Sequence, residues 1–170
     1  MPNWCDNMLT IEGNRKQLKE FKNAVKDVNS DGDVLPLSLE KLHPIPKELD
    51  GTQSPPDKKN KELIEKYGSD NWYDWCINNW GTKWDVSNSS SIVSQSADQI
   101  KYHFDSAWSP PIEWLRFVSV LYPKLKFILD YEEGGMAFAG TATVEDGEVN
   151  NEDREYVPPE DEEYDDSIPF

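Results

Sequence analysis

QIKYHFDSAWSPPIEWLRFVSVLYPKLKFILDY, residues 99–131, decides the fold. Ile100, Tyr102 and Phe104 alternate with Lys101, His103 and Asp105, the period of a strand buried on one face. Ser109-Pro110-Pro111 then marks a helix start, with Ser109 as cap and proline at the first helical position. Trp114, Phe117, Val118 and Leu121 recur at helical spacing until Pro123 stops the helix after Tyr122. Leu125 to Tyr131 alternates again. A strand, a helix and a second strand of this length form half of a split βαβ fold.

The same pattern extends outward. NMLTI, residues 7–11, alternates as a strand, and Asn14 caps a following helix whose buried stripe is Leu18, Phe21, Val25 and Val28. VLPLSL, residues 34–39, reads as an edge or irregular strand because of Pro36. HPIPKEL, residues 43–49, leads into a polar, proline-rich loop, then helical segments around 58–67 and 71–80. Beyond Tyr131, Gly134-Gly135 makes a tight turn before a last strand from Met136 to Val144. The expected fold is α+β: a ferredoxin-like split βαβ antiparallel sheet with helices over one face and a Trp-rich helical insert at about 50–92. No internal repeat interrupts it.

At 170 residues the chain suits one domain, which buries about two-thirds of its unfolded surface. The net charge of −16 is unevenly placed. Residues 145–170 hold twelve acidic side chains against Arg154 alone, which leaves 21 acidic and 16 basic residues, a net −5, for residues 1–144. The domain boundary is therefore expected near Val144, with 145–170 a disordered acidic tail. Cys5 and Cys76 lie far apart, outside any zinc or disulfide spacing, and read as buried thiols of a reducing compartment. With no apolar run near the roughly 18 residues of a membrane span, a cytoplasmic location is expected.

MPNWCDNMLTIEG, HPIPKEL, NNWGTKWD, FDSAWSPP and EEGGMAFAG together resemble the YubB-type family of phage and plasmid proteins. Members carry a ferredoxin-like domain. The resemblance covers most of residues 1–140 and implies that fold and a mobile-element origin in a bacterial host, without implying a reaction.

The end of the chain, EDEEYDDSIPF from Glu160 to Phe170, places six acidic residues before Ile168, Pro169 and Phe170. Asp165, Asp166, Ile168, Pro169 and Phe170 resemble the acidic tip of bacterial single-stranded DNA-binding proteins, with Ser167 where a third aspartate is usual. That resemblance implies docking onto host proteins of DNA replication and repair. The chemistry is plain: a terminal Phe fills an apolar pocket, its carboxylate meets an arginine, and the aspartates meet surrounding cations. Proline fixes φ beside the anchor.

WYDWCINNWGTKW, residues 72–84, concentrates five aromatics. On a helical wheel Trp72, Tyr73, Cys76, Ile77 and Trp80 share an apolar arc, whereas Trp75 points off it and Trp84 follows Gly81 in a loop. Trp75 and Trp84, beside Lys83, are thus the candidates for stacking on bases. Arg15, Lys19, Lys22 and Lys26 form a basic stripe on the first helix, fit to track phosphates or to hold the acidic tail. Lys101 and Lys126 add positive charge to the open sheet face, which otherwise presents Met8, Thr10, His103, Asp105 and Asp130 and no aromatic row.

His43 and His103 belong to no metal or catalytic spacing, and Glu132-Glu133 point to opposite faces of a strand. No phosphate loop, dinucleotide fingerprint or nucleophile elbow appears. The expectation is a non-enzymatic protein without cofactor or metal. It binds single-stranded DNA and recruits host enzymes through its tip, or it acts as an adaptor that mimics the tip and binds no DNA.

Overall fold

The computed structural model describes residues 1–160. Strands β1 (Trp4–Glu12), β4 (Ser91–Gln95), β5 (Gln99–Ala107), β6 (Lys126–Glu133), β7 (Phe138–Glu145) and β8 (Glu148–Arg154) build one sheet in the order β4-β5-β1-β6-β7-β8, every neighbour antiparallel. Helix α1 (Arg15–Val25) connects β1 to the β4–β5 hairpin, and α5 (Ile112–Leu121) connects β5 to β6. Each connection skips one strand, which is the split βαβ arrangement of a ferredoxin-like domain. The β7–β8 hairpin extends it.

Alternation sets the core. Leu9 stands opposite Tyr102 on one side and Leu129 on the other, so these residues share a face, as do Ile11, Ile100 and Phe127. All six are buried. Phe21 of α1 inserts into this face, its ring edge-on to Tyr102, Phe127 and Trp114. Burying such a side chain contributes about 2–3 kcal/mol. Asn14 caps α1 by accepting the Gln17 N–H.

Between α1 and β4 lie the two-stranded ribbon β2 (Asp27–Val28) and β3 (Val34–Leu35), the short helices α2 (Leu39–Leu42), α3 (Lys61–Tyr67) and α4 (Trp72–Asn79), and a 3₁₀ turn at Ser87–Ser89. This segment is stitched to the domain by Asp85. Its carboxylate accepts from Ser38 Oγ (2.7 Å), Leu39 N–H (2.8 Å), Glu40 N–H (3.2 Å) and Val86 N–H (2.7 Å). His43 stacks on Phe117 of α5, and its carbonyl accepts Trp80 Nε1–H at 2.8 Å.

Four expectations are corrected. The strand at residues 34–39 shrinks to Val34–Leu35, because the chain turns at Pro36 into α2. The second strand of the fold is instead β4, in the serine-rich stretch after the insert, so the insert runs from the end of α1 to Ser90. Helix α5 begins at Ile112, with Pro111 at its cap position, and Ser109 Oγ donates to the Gly81 carbonyl. The domain also overruns Val144: Glu148–Arg154 pairs along β7 as an edge strand, although it is acidic, because edge pairing needs backbone bonds and its side chains reach water.

Candidate nucleic-acid interface

Each candidate residue owes its place to the local backbone. Thr82 Oγ1 donates to the Ala107 carbonyl at 2.9 Å, pinning the loop after α4 to the end of β5. Ala107 pairs with Trp4 at the start of β1. Trp4 and Trp84 thereby come together, ring centroids 6.2 Å apart and planes at 40°, and stay 50% and 40% exposed. Lys83 Nζ lies 4.4 Å from the Trp84 centroid and 5.7 Å from that of Tyr73, in cation–π range of both. Trp108, 45% exposed, follows directly, with φ at +70° and its N–H donating to the Asn3 carbonyl at 2.9 Å. A non-glycine residue in that region costs about 1–2 kcal/mol. The strained turn keeps a third indole out of the core at this end of the sheet.

Trp75, expected to stack on bases, is buried. The buried arc of α4 is rotated from the expected one: Trp75, Cys76 and Trp80 are buried together while Tyr73 and Ile77 are only half-buried, and Trp75 packs against His43 (5.0 Å) and Trp80 (5.8 Å). Trp4 and Trp108 were absent from the expected set, because their exposure depends on a loop 80 residues downstream of Trp4.

The basic stripe forms a separate feature. Arg15, Lys19 and Lys22 line a groove of about 420 Å³ against Gln95, Ser96 and Ala97 of the β4–β5 turn, with Leu18 and Ile100 as its floor. Lys22 Nζ donates to Gln95 Oε1 at 2.9 Å. Lys26 is exposed but lies past the helix end and does not line the groove. The groove and the tryptophans sit toward opposite ends of β1, which at about 3.3 Å per residue are roughly 25 Å apart.

The open sheet face is acidic. Asp6 stands between Asp105 and Glu132 in one cross-strand row, and Asp130, Glu152 and Glu12 share that face. His103 Nε2 contacts Asp6 Oδ2 at 2.7 Å, and Arg154 reaches Glu132 at 3.6 Å. Among the described residues one group could hold a cation: Asp6, His103 and Asp105 offer one nitrogen and two carboxylates within 4.8 Å of one another. Lys101 and Lys126 stand half-buried on this face, Lys126 opposite Glu12, apart from both the tryptophans and the groove. The sheet therefore does not offer phosphate a positive surface.

Other titratable groups are tied to structure. Burial pushes the Cys5 and Cys76 thiols up to about 12, leaving them protonated at neutral pH. Burial holds His43 below its ordinary value. Glu133, almost wholly buried, accepts the Gly135 and Met136 N–H groups and so closes the β6–β7 turn. No described helix is long and apolar enough to cross a membrane. Asp165, Asp166, Ile168, Pro169 and Phe170 lie outside the described residues.

Comparison with known proteins follows the fold. The family model described as the ferredoxin-like domain in Api92-like protein matches residues 79–167. The chain is similar in structure to the crystal structure of a protein api92 from Yersinia pseudotuberculosis, with a TM-score of 0.55 over 93% of this chain and 100% of that one, at 12% identity. No curated protein matches the sequence.

Proposed function

The chain belongs to the Api92-like family with a ferredoxin-like domain, and since that membership carries a fold and no activity, we propose from its surface chemistry that it binds single-stranded DNA and recruits host replication and repair proteins through its C-terminal tip. The observation that carries the reading is the exposed Trp4–Trp84 pair with the Lys83 ammonium over the Trp84 ring. Soluble domains seldom leave neighbouring indoles in water, and bases stack on such faces for about 1–3 kcal/mol each. Lys83 supplies a cation beside the stack, and the Arg15–Lys19–Lys22 groove a second phosphate contact on a longer strand. Recruitment rests on Asp165, Asp166, Ile168, Pro169 and Phe170, whose composition suits a cationic, apolar socket on a partner. With the YubB-type resemblance, this reads as a mobile-element protein working in the cytoplasm of its bacterial host.

The test is quenching of tryptophan fluorescence by oligo-dT of about 16 nucleotides at low salt, a length at the upper end of site sizes for single-strand modules. Saturable quenching that weakens with salt is expected, and its absence, with no mobility shift, overturns DNA binding.

The acidic row Asp105–Asp6–Glu132 favours a second reading, an adaptor that presents the tip to host enzymes and binds no DNA. Both readings route partner capture through Ile168, Pro169 and Phe170. Phe170→Ala abolishes partner capture under either, whereas only the first gives quenching.

A further inference from the structure

We propose that the acidic C-terminal segment of this chain docks intramolecularly in the groove between α1 and the β4–β5 turn. In a protein of net charge −16, Arg15, Lys19 and Lys22 converge on one depression whose lining holds no carboxylate. Among the described residues none of the three joins an ion pair. The one fixed partner is neutral: Gln95 Oε1 holds the Lys22 ammonium at the groove wall. Beneath the cations lie Leu18 and Ile100, closed to water from below, with exposed Ala97 on the rim. The site thus asks for an anionic ligand with an apolar element.

The chain carries that ligand. Residues 155–170 hold seven acidic side chains and no basic one, ending in Ile168, Pro169 and Phe170. Carboxylates of Asp165 and Asp166 suit the ammonium and guanidinium groups, and Ile168 or Phe170 suits the Leu18–Ile100 floor. Reach is sufficient. From Arg154, sixteen residues span at most about 55 Å when extended. The groove is about 24 Å away across the six-strand sheet and about 17 Å along the strands, because Arg154 aligns through Ala139 and Glu132 with Asp6 while the groove lies level with Ile11, or roughly 30 Å in all. A tether of that length gives an effective concentration in the millimolar range, so a weak contact is largely formed.

The consequence, which rests on the proposed DNA reading, is competition: phosphates and the C-terminal carboxylates want the same cations, and a partner protein that captures the tip frees the groove.

The test uses the full chain in two forms, wild type and one with the acidic residues of 160–166 changed to Asn or Gln. A fluorescein-labelled peptide of residues 157–170 is added to each, with amide chemical shifts followed in parallel. The neutral-tail chain is expected to bind the peptide at least tenfold more tightly than wild type, with shifts at residues 15–22 and 95–97. K19E/K22E in the neutral-tail chain should weaken it by a further tenfold or more. Equal binding by the two chains, no binding to the neutral-tail chain, or binding insensitive to K19E/K22E overturns the proposal. Wild-type protection that grows with protein concentration alongside dimer formation also overturns it, assigning the groove to the segment of a second copy. Oligo-dT quenching in the same samples separates the readings, because it reports Trp4 and Trp84 whether or not the peptide docks.

Discussion

His43 lies face to face with Phe117, ring centroids 3.7 Å apart and planes within 12°, and it joins the helical insert to α5. Burial in this stack disfavours the imidazolium and holds the His43 pKa below its ordinary value. The folded state therefore binds the proton less readily than the unfolded chain. Stability from this contact is fully present above the unfolded value of about 6.5 and is lost as pH falls through the lower folded value. Thermal melts at pH 7.5 and 5.0 are expected to show a drop in wild type that is reduced in His43→Gln. An equal drop in the variant would assign the acid sensitivity to other groups.

Trp84→Ala and Trp4→Ala each remove one face of the exposed indole pair. If each face stacks one base, affinity for oligo-dT falls about tenfold per substitution, within the roughly 1–3 kcal/mol measured for such contacts. Both rings are 40% exposed or more, so the melting temperature should barely change. Trp75→Ala should do the reverse, because that buried indole packs on His43 and Trp80: about 3–5 kcal/mol of stability is lost for a buried aromatic cut to alanine. Equal oligo-dT affinity in Trp84→Ala and wild type removes the stacking site.

The division between what was readable and what was not follows from range. Residues 99–131 declare strand, helix and strand because alternation and helical spacing are properties of neighbours. Asn14 and Trp114 were legible for the same reason, one as a cap and one as core. β4 was not, since Ser91–Gln95 has little apolar pattern and is a strand only by pairing with β5. Trp75 misled because apolar residues cover most of the α4 wheel, so hydrophobicity alone does not say which arc faces the domain; Trp75, Cys76 and Trp80 do, and Tyr73 and Ile77 stay half-buried. The meeting of Trp4 with Trp84, and of Asp6 with His103, depends on contacts between residues 80 or more positions apart, which no local pattern encodes.

Asp85 caps α2 from 46 positions downstream of Leu39, since Ser38 occupies the cap position without bonding the helix with its own side chain. Asp85→Ala strips Ser38 Oγ and the Leu39, Glu40 and Val86 amides of their acceptor at once. Hydrogen bonds to a charged acceptor contribute about 1.5–3 kcal/mol, and unpaired buried donors cost a similar amount. A loss of about 3 kcal/mol is expected, or roughly 6–12 °C in melting temperature for a chain of this size. Asp85→Asn keeps one oxygen and should lose about half as much. If calorimetry finds Asp85→Ala within a degree of wild type, the insert is not held by this residue.

The strand β8 lies beyond the boundary that charge alone suggested. Its seven residues pair from Glu148 opposite Glu145 to Arg154 opposite Ala139. Tyr131 Oη donates to Asn151 Oδ1 at 2.8 Å, lying across Gly140, where an added Cβ would collide with the phenol ring. Gly147 N–H donates to Ser119 Oγ of α5 at 2.8 Å, so the hairpin turn is tied to the helical layer as well. Ending the chain after Val144 removes these bonds, leaves the largely buried Tyr131 hydroxyl without its acceptor and uncovers Ala142 and Val144. One unsatisfied hydroxyl costs about 1–3 kcal/mol, and lost apolar cover adds to that. The shortened chain should melt about 5–10 °C lower, whereas a chain ending after Val157 keeps every one of these contacts and should melt with wild type. Asn151→Ala isolates the hydroxyl bond at about 1 kcal/mol. Because residues 145–157 carry charges of mostly one sign, a stabilising effect of the shorter end point would instead mean that self-repulsion outweighs the edge pairing, and melts repeated at high salt decide between the two.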